Sequence, residues 1–172
     1  MDSLQWLGVT NAQALRFFFE RLKDVSEDDD APTGELLYNA SVLAHFASTS
    51  TSSTTTFPPG PSSLTMVFDL FVMDRSRHVD AGIMEGAGAQ CLILTGFFHD
   101  QLRARHNIDW YASLGANLFT QAAHCGTDRD RSRMMAVMAA RFGFWRRQQQ
   151  RLALDLRDQP RLLFPKKDVG RI

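Results

Sequence analysis

The sequence predicts an all-α, single-domain bundle of about six helices. Three observations carry that prediction. Apolar residues recur at i, i+3, i+4 and i+7 in six separate segments, which is the period of one helix face. The joints between those segments are rich in Gly, Pro, Ser, Thr and Asp, the residues of turns and caps. A chain of 172 residues, 44% hydrophobic and 22% charged, suits one domain over 1–172 with a core of its own.

The first helix is expected to start at Thr10-Asn11-Ala12-Gln13. Thr and Gln stand there at capping-box spacing, the hydroxyl on a free N–H and the Gln side chain reaching back. Leu15, Phe18, Phe19 and Leu22 follow on one face, and the helix should end near Asp24, where the acidic, solvated loop SEDDDAPTG takes over. Thr33 can cap a second helix with Leu36, Ala40, Leu43 and Ala47 on its apolar stripe, widened by Leu37 and Ala44. The Ser/Thr/Pro-rich stretch 48–63 then reads as a surface loop, because hydroxyl side chains compete with the helical backbone and prolines stop it.

From Ser62 or Ser63 a third helix is expected, with Leu64, Val67, Phe68, Phe71 and Val72 at helical spacing. Its β-branched and aromatic content also suits a strand, but no partner strand is visible, so periodicity decides for a helix. The fourth helix should run from 79 to 104 and is almost wholly apolar between 91 and 98, which places it at the centre of the bundle. Each of its glycines costs about 1 kcal/mol relative to Ala. Close approach of a neighbouring backbone, above all at Gly96, is what would offset that. Asn107 can cap a fifth helix with Tyr111, Leu114, Leu118 and Ala122 on one face. After a turn at 126–132, Met134, Met138, Phe142, Trp145, Leu152 and Leu156 mark one long sixth helix that is basic from 130 onward, followed by a frayed tail.

Charge is unevenly spread although the net is zero. Residues 1–125 hold 7 Lys/Arg against 14 Asp/Glu, and residues 126–172 hold 12 against 5. A neutral whole is a poor non-specific binder of nucleic acid, and no helix-turn-helix or RNA-binding signature is present, so nucleic acid is disfavoured as a partner of the basic helix. Two cysteines make no disulfide framework and suit a reducing cytoplasm. The N-terminal MDSLQWLGVT has no basic, then apolar, leader pattern, and the longest apolar runs are too short to span a bilayer.

Reaction chemistry is not signalled. The histidines His45, His78, His99, His106 and His124 form no HxxxH, HExxH or Glu-x-x-His pattern, so no metal is expected and polar surface positions explain them. There is no G-x-S-x-G, and Cys91 lies in an apolar run that disfavours its thiolate. The glycines of GAGAQC follow no strand and lack G-x-G-x-x-G, so no cofactor site is read there either.

Gly96-Phe97-Phe98, followed by Asp109-Trp110-Tyr111 and Gly115, resembles a pattern of uncharacterised bacterial helical proteins. In those an apolar helix ends in GFF and a D-Y-Y-x-x-M-G segment follows about ten residues later; here Trp110 and Leu114 stand where Tyr and Met are usual. The resemblance covers residues 83–123. It implies a helical fold and no particular activity.

The function read from the sequence is therefore a non-catalytic, cytoplasmic helical interaction or regulatory module, with another protein or a second copy as its partner. The alternative is a small-ligand-binding helical protein or enzyme with its site between the fourth and fifth helices. The candidate ligand or partner surface is Phe98, His99, Arg103, Trp110, Tyr111, Arg146, Arg147 and Arg151.

Overall fold

A computed structural model of the chain describes residues 11–52 and 80–158. They form a single domain of seven helices: α1 (Asn11–Val25), α2 (Thr33–Ser52), α3 (Ala81–Thr95), α4 (His99–Leu102), α5 (Ile108–Cys125), α6 (Arg129–Ala140) and α7 (Phe142–Asp158). No strand occurs among the described residues. Side-chain caps open three of the helices, each satisfying one of the N–H groups that a first turn leaves unpaired. Asp80 accepts from Ile83 N at 3.0 Å, Asn107 from Trp110 N at 3.2 Å, and Asp128 from Arg131 N at 3.0 Å. The Asn107 cap is where the sequence puts it.

The core is built around α3, which packs on α5, while α5 packs on α6 and α1 on α2. Met84, Ala87, Gly88 and every residue from Cys91 to Thr95 are buried, as expected of an almost wholly apolar segment. The α3–α5 crossing is close because both helices present glycine there. A Cβ added at Gly115 would stand 2.7 Å from Cys91 Cβ and 2.7 Å from Phe142 Cζ. One added at Gly88 would stand 3.3 Å from the Gly115 carbonyl. Glycine is what lets the two backbones and the Phe142 ring share this space. Phe119, Met138, Trp145 and Leu152 complete the same core.

Four expectations need correction. The helix expected over 79–104 stops at Thr95, and a one-turn α4 follows. Gly96 is indeed pressed against a neighbour, since its Cβ would lie 3.0 Å from Arg146 O and 3.2 Å from Gln149 Cβ. At the same place Arg146 Nε donates to Thr95 O at 3.1 Å, so the helix ends where α7 takes over its carbonyl. The expected long sixth helix is two, broken at Arg141 (φ −107, ψ 19), whose guanidinium is drawn to Glu35 and to the carbonyl of Asp30. Helix α2 continues to Ser52, so the first residues of the expected 48–63 loop are helical. Finally, Leu37 does not widen a buried stripe; it is 48% exposed, one position beyond the face that buries Leu36 and Ala40. The expected cap at Thr10, the helix over 64–73, the remainder of the 48–63 loop and the tail after 158 lie outside the described residues.

The crossing makes a paired prediction. Gly115→Ala should lower unfolding stability by about 1–3 kcal/mol, the usual cost of overpacking. Gly86→Ala should raise it by about 0.5–1 kcal/mol, since a Cβ there meets nothing within 4 Å and helical glycine is intrinsically unfavourable. Urea titrations of both variants check this. A Gly115→Ala protein as stable as the parent would contradict the crossing.

Candidate functional site

Glu35 lies in the first turn of α2, where a negative charge faces the positive end of the helix dipole. It is only 7% exposed. Its Oε2 accepts from Arg141 Nε at 2.7 Å and from Trp145 Nε1 at 2.7 Å. Arg141 also donates to Asp30 O at 2.6 Å, and its guanidinium carbon sits 4.2 Å from the centre of the Phe144 ring. One turn further, the buried Asn39 donates to Glu35 O at 2.9 Å and accepts from Gln149 Nε2 at 3.2 Å. Gln148 accepts from Ser26 Oγ and donates to Asp29. A polar seam thus binds α7 to α2 and to the α1–α2 loop. Its groups satisfy one another, Gln149 Oε1 alone being buried without a partner. It holds helices together.

The arginines of the basic segment reach acidic residues of the same chain. Arg151 bonds Asp29 at 2.7 Å, Arg146 bonds Asp109 at 3.0 Å, and Arg157 bonds Asp100 at 3.3 Å. Asp29 therefore does not belong to a purely solvated loop. Arg147 is exposed on the outer face of α7. Exposed pairs of this kind contribute little stability one by one.

The rest of the sequence-predicted surface gathers at the corner where α3, α4 and α5 meet. Phe98 packs on Phe46 and Phe97, and it joins Tyr111 over a small core of Leu94, Leu102 and Ile108. His99 Nδ1 lies 3.3 Å from Asp100 Oδ1 and 3.2 Å from Gln150 Nε2, donating to the first or accepting from the second according to its tautomer, and the ring is half-buried between α4 and α7 rather than on the surface. The bond from His99, helped by Arg157 and Arg103, holds the Asp100 carboxyl below its usual range. Trp110 meets Tyr111 edge-on at 5.0 Å and remains 41% exposed. The structure thus brings Phe98, His99, Tyr111 and Trp110 to one corner, with Arg103 exposed at the end of α4 and Arg146 reaching it through Asp109. Arg151 turns instead to the α1–α2 loop.

Sequence reasoning missed a cleft of 320 Å³ between the start of α3, the end of α5 and the start of α6. Ala81, Ala122 and Met135 line it with Glu85, Asp128 and Arg131. Glu85 accepts from Tyr38 Oη at 3.0 Å and from Arg131 Nε at 2.9 Å, and Arg131 Nη2 completes a two-pronged pair. Burial, then the neighbouring carboxylate, raises the Tyr38 phenol above its usual range. No local pattern marks the cleft, since its partners are 46 residues apart and meet only through packing.

Among the described residues, no three His, Cys, Asp or Glu side chains converge as metal ligands, and no helix is long and apolar enough to cross a membrane. No protein family, curated protein or solved structure matches the chain.

Two predictions follow from these surroundings. Burial pushes the Cys91 thiol up to about 12, whereas Cys125 is exposed. At pH 8 a thiol reagent should label one cysteine of the folded protein, at Cys125, and both in denaturant. Rapid labelling of Cys91 in the native state would contradict its placement. Glu35→Leu should lose on the order of 2–3 kcal/mol, because it strands the buried Trp145 N–H and a partly buried guanidinium. Thermal or urea melting reads that loss, and a variant as stable as the parent would show that the seam carries no weight.

Proposed function

We propose that this chain is a non-catalytic helical interaction module of the cytoplasm, acting as a homodimer through the corner formed by α4 and the first turn of α5. The observation that carries this reading is Trp110, a large aromatic left 41% exposed on a stiff platform. The Asn107 cap and the Asp109–Arg146 bridge support the turn that presents it. Tryptophan and arginine are enriched at the energetic centres of protein interfaces, and Arg103 is exposed at the end of α4 beside this turn. A chain with two cysteines and no disulfide framework suits a reducing compartment. Nucleic acid is a weaker candidate, because Arg146 and Arg151 already bond carboxylates of their own chain.

Sedimentation equilibrium tests the proposal. The parent is expected to sediment as a dimer at micromolar concentration, and Trp110→Ala as a monomer with an unchanged circular dichroism spectrum. A parent that stays monomeric across the concentration range would contradict it. So would tight binding of mixed oligonucleotide at physiological salt that disappears in a folded Arg146/Arg147/Arg151→Ala triple variant. A second reading, a small-ligand protein with its site between α3 and α5, is favoured by the cleft at Glu85.

A further inference from the structure

We propose that the cleft beside Glu85 binds a small organic cation, one with a guanidinium, amidinium or ammonium head on a short hydrocarbon body, and that Arg131 occupies the head-group position until the ligand arrives. The inference deepens the small-ligand reading by naming the class of ligand. The lining of the cleft and the present occupant of Glu85 point to it.

The carboxylate is set up for a cationic head. Tyr38, itself partly buried against the core, donates to Glu85, and the Glu85 side chain is 14% exposed. The group now on it is a guanidinium bonding through Nε and Nη2, the planar fork that carboxylates recognise best. The Arg131 side chain is 63% exposed, so the occupant can reach water by rotamer changes alone.

The rest of the cleft suits the remainder of such a ligand. Ala81, Ala122 and Met135 supply walls for a hydrocarbon body. With Arg131 withdrawn, Glu85 and Asp128 leave the lining negative. At the α3 and α6 starts that border the cleft, Asp80 and Asp128 each accept one amide N–H, so each of these helix ends already carries a carboxylate. The internal competitor has a measurable consequence. If Arg131 covers Glu85 nine-tenths of the time, the apparent affinity for a cation falls about tenfold.

Amide chemical-shift titration of the full chain with benzamidine, benzoate and benzyl alcohol tests this, using the parent, Arg131→Ala, Arg131→Gln and Glu85→Gln. Melting curves check that each variant folds. Benzamidine is expected to shift the amides of Gly82 and Gly126, about tenfold more tightly in both Arg131 variants than in the parent, and not to bind Glu85→Gln. Benzamidine binding that weakens when Arg131 is replaced would overturn the proposal, since the arginine would then be part of the site. Preferential binding of benzoate or benzyl alcohol would overturn the cation class while leaving a small-ligand site. No shift from any of the three probes, in the parent or in a folded Arg131 variant, would sink both.

Discussion

Glu35 accepts the Nε–H of Arg141 and the indole N–H of Trp145 at 2.7 Å each, in an interior where an unpaired carboxylate would be strongly disfavoured. Much of the architecture depends on that pairing. Arg141 reaches Glu35 from the residue at which the backbone leaves helical geometry and α6 gives way to α7. Trp145, one turn later, is then committed to the core with its polar edge satisfied. The remaining seam of Asn39, Gln148 and Gln149 continues along the same side of α7. Breaking such a pair costs more than replacing both partners together, since apolar replacements of buried polar pairs are often as stable.

The same constraint explains what becomes of the sequence's charge asymmetry. An acidic first part and a basic last part could have served two partners, or two copies. In the fold they meet within one chain, from Asp29 with Arg151 at the α1–α2 loop to Asp100 with Arg157 at α4. A basic helix covered in this way presents a less positive face than its composition suggests. That is why the functional reading rests on an exposed aromatic at the bundle corner rather than on the arginines of α7.

Most of the fold was legible in the sequence because its causes are local. The Asn107 cap, the buried face of α5 and the apolar centre of α3 follow from spacing and residue type alone. Gly96 was legible as a contact glycine. That α3 ends there was not, because the cause is a carbonyl of Thr95 claimed by Arg146, 51 residues later. Trp145 was legible as core, whereas its partner Glu35 lies 110 residues away. Of the candidate surface, Phe98, His99, Trp110 and Tyr111 share a corner. Arg151 does not, because its charge is satisfied elsewhere. The cleft at Glu85 had no signal of its own, since it exists only once α3 is laid against the α5–α6 turn.

The central claim is that one buried carboxylate couples α2 to the α6–α7 joint, and a double-mutant cycle addresses it most directly. Unfolding free energies of the parent, Glu35→Gln, Arg141→Met and the double variant isolate the pairwise term. The account predicts that the double variant loses clearly less stability than the two single losses added together, with a coupling above about 1 kcal/mol. Additive losses would mean that Glu35 and Arg141 do not depend on each other, and would contradict the account.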